Sequence, residues 1–246
     1  MDKLKSEIVK VVQLMYQKNY IVASDGNVSA LIDENSILTT PSGIVKGFIT
    51  VDDLVVVNRQ GEKIAGPAHL RPSSELKMHL KVYDMRKDVR AIVHAHPPIT
   101  TAFSVADIRL NEIILPEVIF TLGMIKFTEY ATPTTEAVPL AIDEAIRDND
   151  VIVLTRHGSL TVGKNLMDAY AKLESLEHTS KIISEAMRLA SAHGTISPLA
   201  QEEVLKLRAI KESMSSDKQP EQEKSIELND HTIAYIIEEV LKRFRE

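Results

Sequence analysis

Residues 91–98 read Ala91-Ile92-Val93-His94-Ala95-His96-Pro97-Pro98. The apolar run closed by two prolines predicts a short buried strand, which ends where proline removes the backbone donor. His94 and His96 stand two apart at its end. Side chains at i and i+2 of a strand share a face, so both imidazoles can converge on one ion. A pair of capping histidines beside a loop is the plainer reading, and the spacing alone leaves both open.

The same construction recurs at Val151-Ile152-Val153-Leu154, a second continuous apolar strand, with Arg156-His157-Gly158 at its end. His157 is thereby placed as a third ligand, which tips the reading toward metal. Three protein ligands with an open position describe a catalytic metal site. Upstream, Pro72-Ser73-Ser74-Glu75 opens a helix on which Leu76, Leu80 and Tyr83 follow at i, i+4, i+7; the serines offer a cap. Packed against the first strand, that helix could bring Glu75 to the ion as fourth ligand or as general acid/base. The plainer alternative is a first-turn carboxylate favoured by the helix dipole.

Leu4, Ile8, Val11, Val12 and Met15 predict an opening amphipathic helix. Asp33 to Asn35 reads as a hairpin turn returning through Ile37 to Thr39, and Leu54 to Asn58 is a strand turned back at Gln60-Gly61-Glu62. Leu160 and Val162 suggest one more return strand. A long helix runs from Leu166 to about Ala192. Strands with hairpins alternating with helices predict an α/β or α+β layered fold on a mostly antiparallel sheet.

Three small-residue clusters, Gly26-Asn27, Ser42-Gly43 and Ser73-Ser74, have the makings of an anion site. Glycine admits a close backbone approach, and hydroxyls, amides and a helix N-terminus supply donors. Each alone also reads as a turn or cap. The remaining histidines, His69, His79, His178, His193 and His231, make no convincing ligand set; His178 lies one helical turn from Glu174, the spacing of a surface pair.

Composition sets the outer bounds. The chain has 246 residues, 44% hydrophobic and 26% charged, with a net charge of −6 and no cysteine. The length suits one large domain or a domain with an appendage. The acidic balance argues against nucleic acid as the main partner. Absence of cysteine excludes disulfides, zinc fingers, iron–sulfur clusters and thiol catalysis. No run of eighteen apolar residues or signal-peptide core is present, so a soluble cytosolic protein is expected. Residues 211–230 read as a polar linker. Residues 231–246 carry Ile233, Ile236, Ile237, Val240, Leu241 and Phe244 on one helical face. Residues 1–210 form the expected catalytic domain.

In order and spacing, Gly26-Asn27-Val28-Ser29, Thr40-Pro41-Ser42-Gly43, Pro72-Ser73-Ser74-Glu75, His94-Ala95-His96 and His157-Gly158 resemble the class II aldolase/adducin family. The resemblance spans roughly residues 5 to 195. It implies a three-layer α/β/α sandwich around a mainly antiparallel sheet. It implies one Zn2+ per subunit on His94, His96 and His157, with Glu75 as ligand or acid/base. It places the substrate phosphate against Gly26, Asn27, Ser42, Gly43, Ser73 and Ser74. It further implies a homotetramer with interfacial sites. The expected reaction is cleavage of a ketose 1-phosphate such as L-fuculose 1-phosphate to dihydroxyacetone phosphate and an aldehyde. Alternatives within the family are a methylthioribulose-1-phosphate dehydratase and a pentulose-phosphate 4-epimerase; outside catalysis, an adducin-like scaffold.

The chain departs from the family pattern in two places. Aldolases of the family carry a proton-donating tyrosine after the HxH pair; here Leu115-Pro116-Glu117-Val118-Ile119-Phe120 has none. Glu117 stands roughly in its place as a second acid/base, against the alternative of a surface carboxylate at a strand edge. Tyr130 and Tyr235 are the other phenols to consider. The tail helix resembles the encapsulation peptides of bacterial microcompartment enzymes, which would make a compartment shell or core a partner. The alternative is a helix packing on its own or a neighbouring subunit.

Overall fold

The computed structural model describes residues 1–110 and 115–216. The chain opens with α1 (Asp2–Gln17), which buries Ile8, Val11, Val12 and Met15 as its apolar spacing requires. The hairpin β1 (Asn27–Leu31) and β2 (Ser36–Thr39) follows. Its turn is closed by the Asp33 carboxylate, which accepts from the amides of Asn35 and Ser36 at 2.8 Å each. The next hairpin, β3 (Val55–Asn58) and β4 (Lys63–Ala65), is closed the same way by the Asn58 side-chain oxygen. Then come α2 (Leu76–Met85), β5 (Ala91–Ala95), α3 (Pro98–Val105), α4 (Pro116–Thr121) and β6 (Ile125–Phe127). The chain continues through α5 (Ala137–Ala141), α6 (Asp143–Ile146), β7 (Val151–Leu154), β8 (Gly158–Gly163), α7 (Leu166–His193) and α8 (Gln201–Ser216).

The strands form one eight-stranded sheet in the order β4-β3-β2-β1-β5-β8-β7-β6. All pairings are antiparallel except β6 with β7. Alternate residues of β5 part to opposite faces. Ala91, Val93 and Ala95 join a core with α1 and α7, and Ile92 joins a second core with α2, α5 and α6. A third cluster places α3, α4 and α7 over β6 and β7. Helices thus cover both faces, and the α/β/α sandwich on a mainly antiparallel sheet is the observed architecture.

The unit of residues 1–208 carries all of the sheet; a second unit begins at Ala209. α8 runs to Ser216, past the start of the linker expected from residue 211. The rest of that linker and the expected tail helix, with Tyr235, lie outside the described residues. No described helix is long and apolar enough to cross a membrane.

Two buried polar groups brace the elements next to the histidines. Glu177 of α7 is fully buried, and its carboxylate accepts from the amides of Ile99 and Thr100 and from the Thr100 hydroxyl. It satisfies first-turn donors of α3, directly after the Pro97-Pro98 stop. His79 of α2 is also fully buried, with Nδ1 2.7 Å from the Ser29 hydroxyl, which in turn lies 2.9 Å from the Tyr83 hydroxyl.

Burial, with a lesser push from His94, lowers the His79 pKa to about 3 against partial opposition from Glu75. The unfolded chain therefore binds the extra proton first, between about pH 6.5 and 3. Stability from a neutral His79 is full above the unfolded pKa and is lost as pH falls through that window. The contribution is on the order of 5 kcal/mol. A His79→Gln variant is expected to show a flatter fall of unfolding free energy between pH 6.5 and 4 than the wild type. Parallel denaturant-derived stability curves would contradict this.

Candidate active site

His94 ends the buried run of β5, opposite Asn27 of β1 and Leu160 of β8. His96 follows two residues on, at the same edge. His157 stands in the tight turn between β7 and β8, where its amide donates to Leu154 O and Arg156 adopts φ 58°. Glu75 occupies the N-cap position of α2 without a side-chain cap bond, its carboxylate being turned to the histidines. No serine caps the helix; the Ser73 hydroxyl accepts from the Glu75 amide at 3.3 Å.

These four side chains meet. His94 Nε2 lies 3.1 Å from Glu75 Oε2, His157 Nε2 lies 3.2 Å from Glu75 Oε1, and the Nε2 atoms of His94 and His96 are 3.1 Å apart. The ligating atoms of all four residues lie within 4.8 Å of one another. The three rings sit about 5 Å apart, centre to centre, in a triangle. His94, fully buried, has Nδ1 2.9 Å from the carbonyl oxygen of Ser159. A carbonyl can only accept, so Nδ1 carries a proton and the ring is oriented with Nε2 toward the cluster. Burial, together with His94 and His157, lowers the His96 pKa to about 3, so His96 is a neutral ring.

Burial works against ionisation of Glu75, but the His94 and His157 imidazoles overcome it and hold the carboxyl far below the usual carboxylate range. Its Oε1 is buried without a hydrogen-bond donor. Two imidazole nitrogens 3.1 Å apart, with an ionised carboxylate oxygen 3.1 Å from one of them, bring three donor groups to one point where a cation would hold them together. The donor set therefore fits a divalent metal ion, and three histidines with one carboxylate suit zinc among others.

Two glycines make this packing feasible. A Cβ on Gly158 would fall 2.3 Å from Ala95 O and 2.6 Å from His96 Cδ2. On Gly26, at φ +69°, it would meet Ile21 Cγ2 at 2.4 Å and His94 O at 2.9 Å. Gly158→Ala is expected to displace His96 from the cluster and to cost about 2 kcal/mol of stability. Metal titration and thermal unfolding check this; wild-type values in both would contradict it.

Beside the cluster lies a cavity of about 260 Å3. Glu75, His96 and His157 form one wall. Gly26, Asn27, Ser42, Gly43, Ser73 and Ser74 all line it, so the fold gathers every residue of the three small-residue clusters at one place. Asn27 also reaches the histidine–glutamate cluster, donating through Nδ2 to Glu75 Oε2 at 3.0 Å. Its Oδ1 is buried without a partner. The segment 132–135 contributes Pro133 and Thr134, the latter at φ 66°.

Glu117 is placed elsewhere. It is exposed in the first turn of α4, in a helix rather than at a strand edge, and does not line the cavity. Tyr130 is 58% exposed and does not line it either. His178 is exposed, and its expected neighbour Glu174 pairs with Lys18 instead. Sequence reasoning passed over Lys46, a buried lysine on the cavity wall, and Asp25, whose Oδ2 lies 3.7 Å from His96 Nδ1. Asp25 adjoins Gly26-Asn27 and was visible as a neighbour. Lys46 gave no signal, since lysine is usually a surface residue.

A mainly antiparallel α/β/α sandwich with a three-histidine, one-carboxylate cluster at the end of its central strands is the class II aldolase fold. Residues 6–184 match the family model described as Class II Aldolase and Adducin N-terminal domain, and the chain belongs to that family. An L-fuculose phosphate aldolase of Methanococcus maripaludis is 36% identical over 177 residues, covering 72% of this chain and 94% of the relative. A 3-oxo-tetronate 4-phosphate decarboxylase of Escherichia coli K12 is 29% identical over 186 residues, covering 74% and 86%. The crystal structure of L-fuculose-1-phosphate aldolase from Thermus thermophilus superposes with a TM-score of 0.68 at 27% identity, covering 79% of this chain and 100% of that one. Family membership supports a lyase acting on a phosphorylated sugar.

Proposed function

We propose that this protein is a zinc-dependent aldolase that cleaves a ketose 1-phosphate such as L-fuculose 1-phosphate to dihydroxyacetone phosphate and an aldehyde. The observation that carries this reading is the position of Glu75. It faces His94 and His157 on one side and the donor-lined cavity on the other. In the proposal His94, His96, His157 and Glu75 hold the metal, one ion per subunit. A bound divalent cation supplies electrophilic stabilisation where negative charge builds on the substrate's carbonyl oxygen.

The chain's own groups do the rest. Ser42, Gly43, Ser73 and Ser74, with Gly26 and Asn27, anchor the phosphate through hydroxyls, amides and the start of α2. Anchoring fixes the reacting carbons beside Glu75, which removes the entropic cost of orienting them at the transition state. Glu75, ionised at rest, is a base. In the synthetic direction it takes the proton from the carbon next to the carbonyl, and in cleavage the same carboxyl returns it. Glu117 is the second acid/base of the proposal, at the aldehyde oxygen. It stands outside this chain's cavity, so that role requires a neighbouring subunit of a cytosolic homotetramer.

A second reading has one observation in its favour. Loss of carbon dioxide from a 3-oxo acid phosphate leaves the same dihydroxyacetone phosphate but needs no base for a hydroxyl proton. Among the described residues Glu75 and Asp25 are the only carboxylates that line the cavity, and Glu75 is already engaged by His94 and His157. A relative named for that reaction stands at 29% identity. Product analysis decides between them. With L-fuculose 1-phosphate the aldolase reading requires equimolar dihydroxyacetone phosphate and lactaldehyde. Release of carbon dioxide from 3-oxo-tetronate 4-phosphate, with no cleavage of the ketose phosphate, would replace it.

A further inference from the structure

Lys46 is the buried cation that the metal site and the proton transfers do not use. It is 1% exposed, yet its side chain lines the cavity. Its ammonium donates to three backbone carbonyls, Ser24 O at 2.9 Å, Pro41 O at 3.2 Å and Ile44 O at 3.2 Å. Those carbonyls belong to the two loops that carry Gly26-Asn27 and Ser42-Gly43. The Lys46 amide also donates to Ala23 O at 2.8 Å. One residue therefore staples together two of the three anion-binding clusters.

The charge itself is unbalanced. Among the described residues no carboxylate lies within ion-pair distance of Nζ. The acid that acts on it, Asp25, is exposed and leans on His96 instead. All three ammonium hydrogens are committed to neutral carbonyls, which stabilise the cation without cancelling its field. A buried, unneutralised cation is costly and is expected to have an anionic partner. The other phosphate-anchoring groups are hydroxyls and amides, which carry no net charge of their own.

We propose that Lys46 is the fixed counter-charge of the ligand's phosphoryl group. It is a positioning residue that holds the two loops in register and makes the cavity select a doubly charged phosphate ester over the free sugar. This rests on the cavity being the phosphate site of the proposed function. The ammonium acts through the loops and through space, with all its hydrogens already engaged. Its removal should thus change charge selectivity and substrate affinity more than the chemical step.

Inorganic phosphate is the probe, titrated calorimetrically into metal-loaded wild type and Lys46→Met. The variant is expected to bind phosphate about tenfold or more weakly. Its KM for the ketose phosphate should rise in proportion while kcat falls far less. Its preference, in kcat/KM, for the phosphate ester over the unphosphorylated ketose should fall by a similar factor. Lys46→Gln, which keeps donors for the loop carbonyls but no charge, is expected to remain as weak for phosphate as Lys46→Met. Phosphate affinity and ester preference restored in Lys46→Gln would make Lys46 a loop staple only and overturn the proposal. So would unchanged phosphate affinity in Lys46→Met. Should Lys46→Met not fold, Lys46→Gln, which keeps two amide donors, is tested the same way. Wild type that binds phosphate but cleaves no ketose phosphate would sink the aldolase reading and leave the Lys46 comparison intact. Wild type that binds no phosphate would overturn both.

Discussion

His94→Ala is expected to lose bound metal almost completely and to reduce turnover by about 10³-fold or more. The size of the effect follows from its place in the cluster. His94 is the fully buried member, its ring oriented by the carbonyl of Ser159, and its Nε2 lies about 3.1 Å from both His96 and Glu75. Without it, Glu75 loses the imidazole that contributes most to holding it ionised. Removing one partner of a buried charged set destabilises by about 3–5 kcal/mol, so some loss of activity could come from unfolding. His96→Ala separates the two, because the His96 side chain is 27% exposed and leaves a smaller packing defect. Loss of metal and turnover in a stable His96→Ala protein is the expected result. Retention of stoichiometric metal by both variants would sink the assignment of the cluster.

Glu75→Gln is expected to separate ligation from proton transfer. The amide has the carboxylate's size and can still accept from Asn27 Nδ2, so the start of α2 should persist. Metal affinity should fall about 10- to 100-fold with the lost charge. At saturating metal, turnover should still be down by about 10²- to 10⁴-fold, the scale of a missing general base. Exchange of the dihydroxyacetone phosphate carbon-bound proton with solvent should be lost in parallel. Wild-type turnover at saturating metal would make Glu75 a ligand only and move the base elsewhere, with Asp25 next to be tried.

Much of this site was legible because it rests on strands. In Ala91 to His96 a continuous apolar run fixes burial and period-two alternation fixes the face, so His94 and His96 had to share a side. The turns were legible too, since Asp33, Asn58 and Gly61 act through local chemistry that needs no tertiary context. What was not legible depends on partners distant in sequence. Nothing near Lys46 indicates that three carbonyls from two loops would enclose an ammonium. Nothing near Glu177 indicates that it would cap α3, nearly eighty residues earlier. His79 stood only among the histidines that form no ligand set, and the packing of α2 on Ser29 makes it a buried neutral imidazole. Glu117 is the reverse case. Its position along the sequence suggested a place in the site, and α4 holds it on the surface of the chain.

The central claim is that four side chains hold a metal ion whose presence the cleavage requires. The most direct test is release of dihydroxyacetone phosphate from L-fuculose 1-phosphate by protein of measured metal content, before chelation, after chelation and after zinc is restored. The account predicts about one divalent ion per chain, turnover that disappears with the chelator, and recovery when zinc returns. Turnover that persists in metal-free protein would contradict it.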